Sequence, residues 1–434
     1  MKGLLVLKET KDIFKNKSLL IYFIILFAVI VYSFYSAVDL YSKASIAAIN
    51  NPLYAAGFEP VPGVFVPTFG GLFIVFSLIA PFILIRLIGD EKTNNTIYLL
   101  SQLPFSLKEI FVSKLSAGLI FIFTSLAAFL PTYAIWSYLG GHIPWKEIVL
   151  LNSGYFLYGL FILSVSFLAS VLFRTNAQAS IFALSLIILS WFLDFGKEMH
   201  IFSFLNKISE WTVTKQLKEF EEGIFSFQAI MYFFLLSVFF FIIAFLFFDF
   251  NIRKKAISVF ITVLLFIPLF ILNANFQYKK DISESGKNSF SPSQIEFLKK
   301  LPAIKIKVFL EPTDSRFRDY ANDFLKKLKM VKTDVKLEFA EGKELKDNYG
   351  LFRYKINGHT DQTYSNSSHE IFMVLQNLSG IKIEKTNDRK QFKGYPLFVK
   401  KRWSLIIIVI YFFVFPVIIL LYQIKKPRRG KDEA

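Results

Sequence analysis

The sequence contains no cysteine and only four histidines. The first absence excludes disulfide frameworks, thiolate metal sites and cysteine nucleophiles together. The histidines, His142, His200, His359 and His369, lack paired metal-ligand spacing. His369-Glu370 opens like a zinc-protease motif, but Met373 occupies the position of the second imidazole, so no pair can grip zinc on one helical face. Phosphate-wrapping loops are missing as well: the pairs Gly196-Lys197, Gly286-Lys287, Gly342-Lys343 and Gly430-Lys431 are never followed by Ser or Thr, which a Walker A loop requires. Charge is scarce, at 19% of 434 residues, where soluble domains carry about 25%. That scarcity does not describe an ordinary globular chain and points to a membrane protein.

What fills the chain is apolar: 54% hydrophobic residues, 53 of them Phe. A helix crossing a bilayer needs about 20 mostly apolar residues. Eight runs qualify as spans: Ser18 to Val38, Phe69 to Ile88, Leu115 to Leu139, Ile148 to Phe173, Ala177 to Leu193, Ala229 to Phe248, Ala256 to Leu272 and Trp403 to Tyr422. The first is longer than the apolar core of a cleavable signal peptide and reads as an anchor. Asp39, Arg86, Asp90, Asp194 and Asp249 sit at span edges, leaving charge-free interiors that argue against ion-coupled transport and intramembrane proteolysis. Ser125, Ser164 and Ser166 inside the spans read as close-packing residues, since nothing basic accompanies them.

Orientation follows from the positive charges near the spans. Lys2, Lys8, Lys11, Lys15 and Lys17, then Arg86, Lys92, Lys108 and Lys114, then Arg253, Lys254 and Lys255, and the tail from Lys425 to Lys431 fall on one side if eight helices alternate. That side is expected to be the cytoplasm, with both termini inside. Trp136, Trp191 and Trp403 are expected at the opposite headgroup level. The net charge of +17 thus records topology, and no nucleic-acid partner is expected.

One polar stretch, 273–402, interrupts the pattern and is expected outside the cytoplasm as a small α/β domain. Ser291-Pro292-Ser293-Gln294 supplies a cap, a first-turn proline and a capping-box glutamine, predicting a helix from Pro292 to about Lys300. Ile304, Ile306 and Val308 alternate as a strand; Phe317, Tyr320, Phe324 and Leu328 follow at helical spacing; Val335, Leu337 and Phe339 alternate again. This is the pattern of a parallel strand, helix, strand unit with a right-handed crossover. Phe352, Tyr354 and Ile356 lead into Asn357-Gly358, a hairpin signal. Ser367 to Glu370 reads as a second capping box, Gly380 as the stop of its helix, and Ile381 to Glu384 as a last strand.

The connection between the second and third spans carries the most chemistry. Glu91 is followed by Thr96, which can cap a short helix from Ile97 to Leu103 containing Leu99 and Leu100; Pro104 ends it, and Ser106 with Glu109 forms a capping box that opens the third span ahead of Lys114. Such a helix is a lever that a cytoplasmic partner can grasp. The stretch resembles the permease subunits of ABC type-2 transporters, in which an acidic residue after the second span precedes a glycine-threonine start, a leucine pair, a proline-serine turn and a lysine. The matching residues are Glu91, Thr96, Leu99, Leu100, Pro104, Ser106, Glu109 and Lys114, with Asn95 where glycine is usual. The likeness covers the first six spans, about 1–255, including a basic amphipathic N-terminal segment with Leu4, Leu7 and Phe14 on one side. Residues 256–272 then form a seventh helix and 403–434 an eighth with a basic tail, while 273–402 resembles the gliding-motility-associated auxiliary subunits of certain bacterial ABC systems, on Leu301 to Phe309, Asp334 to Phe339 and Tyr349-Gly350.

The resemblance implies a non-catalytic, multi-pass subunit of the bacterial cytoplasmic (inner) membrane, working as a homodimer or heterodimer in the bilayer. It holds no cofactor; ATP is bound by a separate ABC ATPase docked on Glu91 to Lys114. The competing reading is a membrane anchor that presents 273–402 to cell-envelope partners without transport.

Overall fold

Asn16 separates the basic N-terminal segment from the first apolar run. Its side-chain oxygen accepts the backbone N–H of Ser18 at 2.9 Å, so one helix ends and another begins. In the computed structural model the described residues are 2–50, 52–94, 96, 102, 104–199, 211–249, 254–276, 278–332, 334–383, 392–400 and 403–424, without the side chains of 2, 49–50, 52–53, 194–199, 420 and 422–424. The helices before the polar stretch are α1 (Lys2–Lys15), α2 (Lys17–Asn50), α3 (Val66–Leu78), α4 (Ala80–Leu84), α5 (Arg86–Thr93), α6 (Leu107–Ala127), α7 (Leu130–Tyr138), α8 (Trp145–Leu172), α9 (Asn176–Met199), α10 (Val213–Glu221), α11 (Phe227–Phe248) and α12 (Lys255–Asn275). Seven helical stretches among the described residues are long and apolar enough to cross a membrane, and Ser404–Ile419 is a shorter apolar helix. The protein is a multi-pass helical membrane protein.

Helix α8 is the central member, buried over most of its length. It packs on α11 through pairs such as Phe161 with Phe240 and Phe167 with Phe241. Helix α12 leans on α11, through Phe266 against Phe239 and Phe270 against Tyr232. Its remaining surface, including Phe260, Leu264, Leu265 and Leu272, is exposed and apolar, as a lipid-facing helix must be. The last crossing is built from α18 (Ser404–Val409), a π turn over Ile410–Val414 and α19 (Phe415–Ile424). It runs antiparallel to α2, since Trp403 meets Phe34 and Tyr35 while Phe415 meets Phe27.

Serines inside the spans close hydrogen bonds within their own helices, as expected of packing residues: Ser125 to the Phe121 carbonyl, Ser164 to Phe161 and Ser166 to Ile162. Trp136 stands two residues before the end of its apolar stretch, Leu107–Tyr138. Its ring is fully buried between Tyr41 and Phe65, and its indole N–H donates to the His142 carbonyl at 2.8 Å.

The polar stretch folds around its own core, drawn from Phe290 to Leu375. Two short strands, β1 (Ile224–Ser226) and β2 (Lys279–Asp281), pair antiparallel and tie it to the bundle. The main sheet has the order β4-β3-β5-β6, from β3 (Ile304–Val308), β4 (Val335–Phe339), β5 (Phe352–Ile356) and β6 (His359–Thr363). Strands β3 and β4 are parallel, as the crossover pattern predicts; the other pairs are antiparallel. Between β5 and β6, Asn357 at φ 49° and Gly358 at φ 89° make the positive-φ turn that asparagine-glycine favours.

On one side of the sheet lie α13 (Pro292–Lys300), α14 (Ser315–Tyr320), α15 (Lys326–Val331) and, after the small α16 (Gly342–Asp347), α17 (Ser368–Ser379). Ser291 and Gln294 form the expected reciprocal capping box. At α17 the box is only half made: Ser367 accepts the Glu370 N–H, but the Glu370 carboxylate takes the Thr363 hydroxyl instead. Residues 381–383 form no strand. The backbone N–H groups of Ile381 and Ile383 go to the side chains of Ser379 and Gln376, which removes them from any ladder.

Candidate coupling site at the basic end of the bundle

Helix α1 buries Leu5, Glu9 and Ile13, one row at four-residue spacing. The expected apolar side lies beside this row: Leu4 and Leu7 are exposed, and Phe14 packs on the core. An acid in the middle of a buried apolar row needs a partner. Glu9 finds it in Lys114, two turns inside α6, with Nζ 2.9 Å from Glu9 Oε2 and 2.6 Å from Glu91 Oε2. Lys114 has no exposed side-chain surface. This cation, one residue before the third apolar run, is buried inside the protein, and two carboxylates neutralise it.

Lys8 completes the arrangement from the rim, 3.0 Å from Glu9 Oε1 and 3.6 Å from Glu91 Oε1. Each carboxylate thus bridges the same two ammonium groups, giving a ring of alternating sign drawn from α1, α5 and α6. Asp12, 3.7 Å from Lys8, lies outside it. Burial pushes the Glu91 carboxyl above the usual carboxylate range, while Lys114 and Lys8 pull it back and Glu9 adds to the rise. One chain of ion pairs thereby fixes an N-terminal helix to the end of the second span and the start of the third.

The rest of α5 reaches the remaining neighbours. Arg86 donates to Ser18 Oγ at 2.6 Å, at the start of α2. Asp90 accepts from the Asn176 side chain at 2.6 Å, at the start of α9. A Cβ at Gly89 would overlap the Asn176 side-chain oxygen, so glycine is needed for that approach. Lys92 donates to the carbonyls of Val171 and Phe173 at 2.6 and 2.8 Å, where α8 leaves its last carbonyls open. Burial first, then Arg174 and Lys255 nearby, lowers the Lys92 pKa. Within its eight residues α5 thus reaches α1, α2, α6, α8 and α9.

Of the expected site residues, Glu91 and Lys114 come together in the ring. Thr96 donates its hydroxyl to the Glu91 carbonyl at 3.2 Å. Ser106 and Glu109 form the expected capping box, at 3.1 and 3.3 Å, and so start α6. Pro104 is exposed just before it. Leu99 and Leu100, with the short helix expected from Ile97 to Leu103, lie outside the described residues. Sequence reasoning missed Glu9 and Asn176, and it placed Lys8, Arg86, Asp90 and Lys92 at span edges without their partners.

No curated protein and no solved structure matches this chain. The model of a family described as ABC-2 family transporter protein matches residues 4–216, a range that contains α1, α5, α6 and the whole ion-pair ring. Over those residues the chain is similar to ABC-2 family transporter proteins.

Proposed function

We propose that the chain is the transmembrane permease subunit of an ABC transporter, coupled to a separate ATPase subunit at its basic end. That end is the cytoplasmic one in this reading, with both termini on it and eight crossings in all. The permease comprises residues 1–255, helices at 256–272 and 403–434 flank an extracytoplasmic α/β domain at 273–402, and two permease subunits assemble in the bacterial inner membrane. The observation that carries the proposal is the ring of Lys8, Glu9, Glu91 and Lys114 inside the matched family domain. The connection from Asn94 to Ser106 leaves α5 and returns into α6, and its two arms are locked together by Glu91 and Lys114. A force applied to this connection by an ATPase moves α5, α6 and α1 as one unit, because Glu9 joins α1 to the same cation.

Co-purification with a candidate ATPase tests the docking. Replacing Leu99 and Leu100 by Asp should abolish association; association that survives both changes sinks this docking site. Glu9→Gln should leave the complex intact but lower its ATP turnover in proteoliposomes severalfold. Unchanged turnover would reduce the ring to a structural brace.

A further inference from the structure

The sheet of the α/β domain has two unlike faces. One carries Ile304, Ile306, Val308, Phe352, Tyr354 and Ile356 into the core under the helices. The opposite face follows from the register: Lys336, Lys305, Lys355 and Thr360 stand in one cross-strand row, and Glu338, Lys307, Arg353 and Gln362 in the next. The second row is satisfied locally. Helix α16 folds over it, Glu344 pairs with Lys307 at 2.7 Å and Arg353 at 3.9 Å, and Leu345 packs with Phe309, Ala340 and Leu351.

The first row is not. Lys336, Lys305 and Lys355 are exposed, adjacent across three strands about 4.8 Å apart, and no carboxylate among the described residues lies within 4.0 Å of them. Like charges directly opposite on a sheet destabilise it. Folding alone gives no reason for three of them in register.

We propose that this row docks a linear polyanion bearing repeated phosphate groups. A bilayer surface fits poorly: the helical layer, through Lys326 paired with Glu222, is what meets the bundle, so the lysines lie on the face turned from it. A protein partner fits no better, because the row of Lys336, Lys305, Lys355 and Thr360 presents no apolar side chain for an interface core. Single-stranded nucleic acid would want stacking rings, and the lysine row, with Thr360 at its end, has none. Phosphate is the anion of choice because all three cations are lysines, which hold phosphate as point charges, while the fork of Arg353, which would suit carboxylate and phosphate alike, is engaged by Glu344 and Gln362. A polymer chain can follow the row because the lysines repeat at strand spacing.

The test uses the full chain in nanodiscs of uncharged lipid and end-labelled inorganic polyphosphate, read by fluorescence anisotropy. Wild type should bind, and binding should weaken steeply with salt. The triple variant Lys305→Gln, Lys336→Gln, Lys355→Gln should bind at least about tenfold more weakly while melting no lower than wild type, since it relieves like-charge opposition. The control pair Lys299→Gln, Lys300→Gln on α13 should bind as wild type does. Absence of polyphosphate binding, or binding indifferent to the triple change, overturns the proposal. So does equal lysine-dependent binding of a polyuronate, lysine-dependent capture of anionic vesicles without polyphosphate binding, or a melting point lowered by the triple variant. None of these outcomes bears on the permease reading, which rests on other residues.

Discussion

The two ends of this molecule handle positive charge in opposite ways. At the basic end Lys114 is fully buried and held by two carboxylates from different helices. On the α/β domain Lys305, Lys336 and Lys355 are exposed side by side and left without carboxylate partners among the described residues. A buried charge must be matched, so its partners reveal which elements the fold has to bring together. An exposed charge costs little alone, and only its repetition in register carries information. Position, rather than number, makes a cation informative in this chain.

The sharpest way to break the comparison is to unbalance the buried end. Lys114→Met leaves Glu9 and Glu91 facing each other with only Lys8 at the rim, and removing one member of a buried ionic group costs roughly 3–5 kcal/mol. Unfolding in mild detergent should show a loss of that size. Adding Glu9→Gln and Glu91→Gln to Lys114→Met should recover most of it, because a neutral set of similar volume has no buried charge to strand. If the single variant is as stable as wild type, the ring does not hold α1 in place.

A smaller effect follows from pH at the same site. Because burial raises the Glu91 pKa, the folded chain holds that proton to higher pH than the unfolded chain. The stability linked to this group is therefore full below the usual carboxylate range and declines as pH rises through the raised value. Glu91→Gln should remove that decline from the stability profile measured across mildly acidic pH. At the other end, Ser291→Ala deletes an N-cap whose hydroxyl accepts the Gln294 N–H and should cost about 1 kcal/mol, measured as a lowered melting point.

These effects also separate what was legible from what was not. The capping boxes at Ser106 and Ser291, the parallel β3 and β4 pair and the turn at Asn357-Gly358 were readable because their partners lie within a few residues or recur at a fixed period. The strand expected after Gly380 failed because side chains of Ser379 and Gln376 captured its backbone donors, a competition that alternation does not reveal. Glu91 and Lys114 were found as members of a motif, yet their meeting was not, and Glu9 was missed entirely. Its partner lies 105 positions away. The signal was present all the same: an acid midway between Leu5 and Ile13, on a row that has to be buried.

The smallest expected effect sharpens the contrast between burial and charge. Asp314 caps α14, and its carboxylate accepts from Arg316 and from the Tyr349 hydroxyl. The Arg316 hydrogen bond foremost lowers its pKa from 3.8 to about 2. Its contribution is thus present above the usual carboxylate range and lost as pH falls toward the lowered value. Yet the Arg316 guanidinium is largely exposed to solvent, which screens the pair and keeps it nearly worthless to the fold. Arg316→Gln should raise the Asp314 pKa in a carboxyl NMR titration while moving the melting point far less than Lys114→Met does. A large shift in titration with a small shift in stability is what an exposed pair must give, and the reverse pattern at Asp314 would dissolve the distinction between the two ends.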